Sequence, residues 1–480
     1  MRFACALLLS CSTLACSSRS EPPVATETKQ TEQASAAPEP VPSTPAASAP
    51  SAAAHGPLPF ITDDYPRALA EARRRGQPLF VDVWASWCHT CLSLQQYVLP
   101  DPQLVQRKDA FVWLAIDSER ASNAAFLKQF PSRFLPTLWV IDPASEKPLL
   151  KWLGAATAAE LVSVLDEATK PAARGDGDNA AAPGGAAQAT AAWLRGNRAS
   201  ASGDTEGAIA LYREALQSAP PGWSERARTA EALSMRYTET HAHDATYALA
   251  VQEAEALPPS TARLNVVVNG VDAAAELAKA GKAPKPDELA RLLTLGTRIA
   301  QAENDPVLLD DRSTLYLSLV TTFSKNEPER AQTLARTWVT QLEAAAAKAS
   351  DSAARRVWDA HRVEAYLALK EPAKAVSMLE QSEREAPDDY NPPARLARAQ
   401  LALGQHAAAK DAITRALARC EGPRKLRLYV LQSEIAVAQG DRPAARNALQ
   451  DALRYAEATA LAPQYDALRK NIEQKLAELS

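Results

Sequence analysis

The sequence predicts an α/β domain followed by an all-α helical-repeat solenoid, and three observations support this fold class. Over residues 58–170, short apolar runs typical of buried strands alternate with segments of helical periodicity. Over residues 189–480, the chain is alanine-rich and helical in period, with spacings that recur along the sequence. Residues 171–188, rich in alanine, glycine and proline, separate the two parts and are expected to form a flexible linker.

The N-terminal residues are expected to be a leader and a tether. Residues 1–16 combine a basic start, a short apolar segment and small residues before Cys16, which resembles a bacterial lipobox and predicts a lipoprotein-type signal peptide ending at an acylated Cys16. Cys11 is a competing acylation site, and a secretory signal without lipid is a further alternative. Residues 17–57 have almost no large apolar side chain, so we expect a disordered tether.

The charge balance and hydropathy indicate where the folded part resides. The chain has 57 acidic and 53 basic residues, which removes the electrostatic reason to expect a nucleic-acid partner. No stretch after the leader approaches the roughly 18 apolar residues of a spanning helix. We therefore expect an envelope lipoprotein that faces the periplasm and contacts the membrane through its lipid anchor.

The elements of the α/β domain are predicted in the order α-β-α-β-α-β-β-α. Thr157 and Glu160 have the spacing of a capping box and mark the start of the last helix. The predicted helices cover residues 65–75, 88–99, 122–130 and 157–168, and the predicted strands cover residues 79–85, 111–117, 137–142 and 149–153.

Two cysteines, Cys88 and Cys91, lie where the first predicted strand passes into a helix. Two residues separate them, so they can close a small disulfide, and the N-terminal helix dipole favours Cys88 as the reactive thiolate. The alternatives are a structural disulfide and half of a zinc site, although the chain has no second cysteine pair of this spacing. We predict a redox site and expect neither a metal nor a cofactor.

Two segments resemble the thioredoxin fold. Residues 81–88 match the strand that leads into the cysteine motif of that family, and residues 134–137 match the segment that carries its cis-proline. Residues 97–104 are similar to the exported reductase branch, the C-terminal domain of DsbD-type proteins. The resemblance covers residues 58–170 and implies thiol–disulfide exchange in the direction of reduction.

The resemblance also implies roles for individual residues. Cys88 would attack the substrate disulfide and Cys91 would release the mixed disulfide. Asp82 would exchange a proton with the resolving thiol, although a merely hydrogen-bonded strand residue is the alternative. Pro136 would present the substrate backbone.

Departures from the family pattern lie close to the cysteines. His89 and Thr90 stand where Gly-Pro is common, and they are expected to tune the redox chemistry together with Trp87, whose alternative role is packing. For His89 a solvated position at the helix start is the alternative. Trp113 replaces the lysine that pairs with the buried acid in cytosolic thioredoxins, which puts the relay role of Asp82 in question.

The helical region contains a recurring pattern. Lys370 and Gly404 are 34 residues apart, Gly404 and Gly440 are 36 apart, and similar small and apolar residues follow each of these positions and Gly203. This period resembles that of tetratricopeptide repeats, in which small residues let paired helices pack closely. The resemblance implies a surface for a protein or peptide, and a scaffold that merely stacks its helices is the alternative. Repeat borders within residues 221–355 are not assigned.

These patterns together predict an extracytoplasmic thiol:disulfide interchange protein that acts as a disulfide reductase. Its partners would be protein disulfide substrates, an unidentified membrane electron donor, and a protein or peptide bound by the repeats. The alternatives are an envelope assembly adaptor with a secondary redox module, and a disulfide oxidase that uses the same chemistry in reverse.

Overall fold

The computed structural model describes residues 56–169, 185–459 and 465–479. The predicted signal peptide with Cys16, nearly all of the predicted tether, and residues 171–184 of the predicted linker lie outside the described residues.

The α/β domain is built on a five-stranded sheet with the order β1-β3-β2-β4-β5. Strand β3 is parallel to β1 and β2, whereas β4 is antiparallel to β2 and β5. The strands are β1 (Phe60–Thr62), β2 (Leu79–Trp84), β3 (Val112–Asp117), β4 (Thr137–Ile141) and β5 (Pro148–Leu153).

Five helices connect and cover these strands. The predicted capping box is present, because Glu160 accepts from the backbone N–H of Thr157 and its own N–H donates to the Thr157 hydroxyl. The first helix ends at Gly76, whose φ of 65° is strained for other residues. The helices are α1 (Tyr65–Arg75), α2 (His89–Ser93), α3 (Pro102–Val105), α4 (Ala124–Gln129) and α5 (Ala158–Thr169).

The structure adds two elements to the predicted order and shortens a third. Strand β1 is only three residues long and α3 only four, so neither shows a periodic pattern in the sequence. The helix predicted over residues 88–99 is α-helical only in α2 and continues as a π-helical turn, Leu94–Val98. Backbone hydrogen bonding therefore changes immediately after the cysteine motif.

Apolar side chains pack on both faces of the sheet. On one face, Phe80 and Trp113 are fully buried with ring centroids 4.8 Å apart. On the other face, Val81 and Trp139 are buried against α1 and α4. Each such side chain contributes roughly 1.5–3 kcal/mol to folding. The central strand β2 is buried along its whole length, which holds the end of the strand and the cysteine motif in place.

The rest of the described chain is helical and forms antiparallel hairpins. This confirms the predicted fold class. The helices are α6 (Gly185–Ser202), α7 (Thr205–Ser218), α8 (Arg226–Glu239), α9 (His243–Glu253), α10 (Thr261–Lys279), α11 (Pro286–Gln301), α12 (Leu309–Asn326), α13 (Pro328–Lys348), α14 (Ser352–Arg356), α15 (Asp359–Ala368), α16 (Pro372–Glu385), α17 (Asn391–Ala402), α18 (His406–Arg419), α19 (Lys425–Ala438), α20 (Arg442–Ala458) and α21 (Asp466–Glu478).

The recurring positions in the sequence are the turns between paired helices. Gly203, Gly404 and Gly440 adopt positive φ between the two helices of their pairs, and Lys370 does so without being glycine. The alanine that follows each turn at the same spacing is buried, as Ala409 illustrates, so the helices approach closely. Helix α6 begins at Gly185, so the last four residues of the predicted linker are helical.

None of the helices in the described ranges combines the length and the apolar character needed to cross a membrane.

Candidate redox site

The cysteine motif begins where β2 ends. Cys88 is the N-cap residue of α2, and its sulfur accepts a hydrogen bond of 3.1 Å from the backbone N–H of Cys91. The two cysteines form a disulfide. After reduction, the same N–H and the N-terminal helix dipole would favour the thiolate of Cys88, which is the nucleophilic form.

Asp82 lies inside the sheet, as the resemblance implied. It is fully buried on β2, opposite Ala115 of β3 and Leu138 of β4. Burial raises the pKa of its carboxyl to about 7, and the side-chain amide of Gln95, 3.2 Å from Oδ2, opposes this shift. A carboxyl with this pKa can hold or release a proton near neutral pH.

Trp113 stands at the position of the missing lysine, but its hydrogen bond is formed elsewhere. Its indole N–H donates to the backbone oxygen of Lys108, and its ring packs against Phe60 and Phe80. Gln95, from the π-helical turn, contacts the carboxyl instead.

The segment expected to carry a cis-proline lies beside the disulfide. The Leu135–Pro136 bond is cis, and Leu135 packs against the apolar cluster that contains Cys88 and Cys91. The same edge of the site includes Trp84, the last residue of β2.

The helical repeats contact the residues just before the cysteines. The guanidinium of Arg424 lies 4.7 Å from the centre of the Trp87 ring, a cation–π arrangement. The side-chain amide of Asn391 donates to the Ser86 hydroxyl at 3.2 Å. Trp87 also packs against an apolar cluster of the repeats, so its packing role is realised between the two parts of the chain.

Glu119, which follows β3, takes part in the same contact. The hydroxyl of Tyr390 donates to its Oε2 at 3.3 Å, and burial raises the pKa of its carboxyl to about 7. Gly422 approaches its backbone so closely that an added Cβ would lie 2.4 Å from the Glu119 carbonyl oxygen. A side chain at position 422 would therefore separate the two surfaces.

The two residues between the cysteines meet a buried carboxylate of α12. His89 Nδ1 lies 2.8 Å from Asp310 Oδ1, and the Thr90 hydroxyl donates to Asp310 Oδ2 at 2.8 Å. On the far side, His361 Nε2 of α15 lies 3.0 Å from the same Oδ1. The rings of His89 and His361 are 4.1 Å apart between centroids.

Burial and charge act in opposite directions in this cluster. Burial by itself raises the pKa of Asp310, but the neighbouring His89 and His361 outweigh it and hold the pKa below its ordinary value. Burial is the main cause that lowers the pKa of His361, and the charge of His89 acts in the same direction.

Other residues of α2, the redox helix, and of the turn after it also contact the repeats. Tyr97 stacks on Trp358 with ring centroids 5.3 Å apart and donates its hydroxyl to the backbone oxygen of Ala354. Leu92 packs against the largest apolar cluster of the repeats. In the complete chain Cys88 is 4% exposed and Cys91 is fully buried.

No motif in the sequence points to Asp310 and His361, or to Asn391 and Arg424. Each lies in a helix or turn of ordinary composition, and Asp310 is 221 residues from its partner His89. Among the described residues, His89, Asp310 and His361 are a group able to offer a metal ion three ligand atoms, all within 4.8 Å of one another.

Comparison with known proteins agrees with the geometry of the α/β domain. A sequence profile described as thioredoxin-like matches residues 61–143. These residues form a thioredoxin-like domain.

The thioredoxin-like domain is similar to part of the thiol:disulfide interchange protein DsbD. The relative from Pseudoalteromonas atlantica is 37% identical over 82 residues, which are 17% of this chain and 14% of that protein. The relative from Cronobacter sakazakii is 34% identical over 82 residues, with the same two shares. The chain thus matches only a small part of these relatives. Together with the Cys88–Cys91 pair, the similarity supports thiol–disulfide oxidoreductase chemistry in general.

Solved structures similar to the chain include tetratricopeptide proteins. One from Parabacteroides merdae has 14% sequence identity and a TM-score of 0.40, and covers 61% of this chain and 98% of its own. The TPR2AB-domain:pHSP90 complex of yeast Sti1 has 15% identity and a TM-score of 0.24, with the same coverage. These scores are too low to support an argument about architecture. The repeat architecture is instead established by the helix pairs of this chain.

Proposed function

We propose that the protein is an extracytoplasmic thiol:disulfide interchange protein that reduces disulfides through Cys88 and Cys91. One observation carries the proposal: the sulfur of Cys88 lies at the start of α2 and accepts the Cys91 N–H. This is the arrangement that a reduced Cys88 needs to act as a thiolate. The buried Asp82 and the cis Leu135–Pro136 segment are the further family features that support it.

The reaction would proceed in two exchanges. The Cys88 thiolate attacks one sulfur of the substrate disulfide, which forms a mixed disulfide and expels the first substrate thiolate. Cys91 then loses its proton, with Asp82 as the proposed acceptor, and attacks the Cys88 sulfur. This closes the Cys88–Cys91 disulfide and releases the second substrate thiolate. Two electrons pass from protein to substrate, so an external dithiol donor at the membrane must reduce the pair again.

The reduction potential of the pair tests the direction. Equilibration of the full chain with a dithiol redox buffer, read by alkylation of free thiols, gives the potential. A value near thioredoxin's roughly −270 mV supports reduction, whereas one near the roughly −120 mV of a strong oxidant makes the protein an oxidase. A Cys420→Ser chain should give the same value, since Cys420 is a buried thiol outside the pair.

The role proposed for the repeats is recruitment and selection of substrates. They cover the face of the domain next to Cys88, so a disulfide must reach the sulfur past Trp87 and the Leu135 segment. An open cleft of about 770 Å³ between α16, α17 and α18, lined by Glu380, Gln400 and His406 among others, offers a partner a polar surface.

The same cover is the observation that favours the second candidate, an assembly adaptor. If the repeats keep Cys88 closed at all times, the redox pair would be a secondary feature and binding through the repeats the main function. Turnover of a generic disulfide by the reduced full chain separates the two, because an adaptor with a closed site would show no turnover at any substrate size.

Envelope anchoring through Cys16 is also a proposal. In a bacterial host, the chain should incorporate labelled fatty acid and fractionate with membranes. A Cys16→Ser chain should lose the label, and a matched Cys11→Ser chain should keep it. Loss in the Cys11→Ser chain alone would move the anchor to Cys11, and absence of label in the unaltered chain would leave a secretory signal without lipid.

A further inference from the structure

We propose that His89, Asp310 and His361 form a binding site for one divalent transition-metal ion, with zinc as the metal of best fit. The site would lie between the redox helix and the repeats. It is separate from the thiol chemistry proposed above, because none of its ligand atoms is a sulfur.

The separations of the ligand atoms fit a metal site. The distances from Asp310 Oδ1 are 2.8 Å to His89 Nδ1 and 3.0 Å to His361 Nε2. Ligands bound to zinc at about 2.0–2.1 Å in a tetrahedron lie about 3.3 Å from one another. The two distances from Asp310 Oδ1 are within a few tenths of an ångström of this value, and the two imidazole nitrogens, which lie within 4.8 Å of each other, would adjust to the ion through rotation of the partly exposed His89 side chain.

The donor set has the chemistry of a transition-metal site. Imidazole nitrogen suits zinc, copper, iron and nickel, and two imidazoles with one carboxylate leave a fourth position for water. The Thr90 hydroxyl lies 3.2 Å from His89 Nδ1 and 2.8 Å from Asp310 Oδ2, where it can hold such a water or orient the carboxylate.

The surroundings favour a bound ion over a solvated cluster. Asp310 and His361 are almost completely buried, and the ion pairs described for Asp310 are formed with the two histidines. A buried carboxylate needs a compensating positive charge. The side chain of His89 is 32% exposed, so an ion has a path from solvent.

The same contacts also describe a cluster in which both imidazoles donate a proton to Asp310 and no metal is present. The two arrangements differ in which ring nitrogens carry hydrogen, since a nitrogen that binds a metal cannot donate to the carboxylate. They also differ in composition, because one contains a metal ion. Metal content is therefore the property that separates them.

The experiment uses the full chain with the Cys88–Cys91 disulfide closed, so that no thiolate of the pair can bind metal. Protein is loaded with zinc, freed of excess by gel filtration and analysed for metal, and affinity is measured by competition with a chromogenic chelator. We expect about one ion per chain, and affinity at least about tenfold weaker in His361→Gln and in Asp310→Asn. His243→Gln, a histidine of the repeats outside the cluster, should bind as the unaltered chain does.

Two results would overturn the proposal. One is a loaded protein that retains less than about a tenth of an ion per chain, and the other is a folded His361→Gln chain that binds zinc with unchanged affinity. Cobalt substitution keeps the test informative if the variants do not fold. The unaltered oxidised chain should show the visible bands of a tetrahedral nitrogen and oxygen site, and a thiolate-to-cobalt charge-transfer band would instead place the metal on cysteine and refute the site.

Discussion

The thioredoxin-like domain and the helical repeats contribute different things to the same site. The domain provides both sulfur atoms and the buried Asp82, all within a strand and the helix that follows it. The repeats provide the charged and polar groups that contact the motif from outside, among them Asp310 and Arg424. The comparison teaches that the residues proposed for the exchange chemistry are close together in the sequence, whereas the groups that contact them from outside come from far along the chain.

The strongest test of this division is to remove a sulfur. Cys88→Ser should lower the rate of reduction of a generic disulfide by at least about a thousandfold, because the nucleophile is gone. Cys91→Ser should instead accumulate mixed disulfides with substrates, visible as adducts on non-reducing gels. The matched control is Cys420→Ser, which should retain full activity. Equal adduct yields from the two motif variants would contradict the proposed order of attack.

The second test concerns the charge inside the domain. Because the pKa of Asp82 is raised from 3.8 to about 7, its proton is bound more tightly in the folded state than in the unfolded one. The stability that this bound proton confers is complete below about pH 4 and is lost as the pH rises through 7. The loss amounts to about 4 kcal/mol at pH 8.

Asp82→Asn should therefore be more stable than the unaltered chain at pH 8 and close to it at pH 4, when the free energy of unfolding is measured with denaturant. The gain should appear between these limits, since the amide carries no charge to bury. Asp109→Asn, at an exposed loop position, is the control and should show no such trend. A difference independent of pH would mean that Asp82 does not titrate in this range.

The third test asks whether the repeats restrict the access of reagents to Cys88. In the reduced Cys91→Ser chain, N-ethylmaleimide should label Cys88 much faster than a polyethylene-glycol maleimide of the same chemistry. Arg424→Ala should reduce this ratio by about fivefold to thirtyfold, because it removes a partly buried cation–π contact worth about 1–2 kcal/mol. Arg427→Ala, an exposed arginine of the same helix, should leave the ratio unchanged. Equal rates for both reagents in the unaltered background would show that the repeats do not restrict access.

The sequence predicted the parts of the molecule whose signals are local or periodic. The disulfide of Cys88 and Cys91 and the cis Leu135–Pro136 bond follow from contiguous motifs. The turns at Gly404 and Gly440 follow from the repeat period, which reflects the geometry of paired helices. The short strand β1 was missed because three residues are too few to show alternation.

The surroundings of the motif were not predictable for a different reason. Asp310 and His361 are 51 residues apart and come from different helices, so nothing in the spacing of the sequence relates them to each other or to His89. The sequence predicts for His89 either a tuning role or a solvated position at the helix start. Its contact with Asp310 shows that it lies where the thioredoxin-like domain meets the repeats. This position follows only from the folded arrangement.

The smallest expected effect concerns the hydrogen bond between Tyr390 of the repeats and Glu119 of the domain. The Tyr390 hydroxyl donates to Glu119, and burial raises the pKa of this carboxyl to about 7. Tyr390→Phe removes the donor of this long hydrogen bond of 3.3 Å, which costs about 1 kcal/mol when the carboxyl is charged and less when it is protonated.

Relative to the unaltered chain, the ratio of labelling by the two maleimides should therefore fall about fivefold at pH 8 and by a smaller factor at pH 6, because the hydrogen bond that the variant lacks is stronger where Glu119 is ionised. Taking the ratio at each pH cancels the change in Cys88 thiolate content. Tyr429→Phe, whose ring packs on Tyr455 within the repeats, is the matched control. If Tyr390→Phe changed the ratio equally at both pH values, the contact would act through packing alone, and Glu119 would not make access to the disulfide depend on pH.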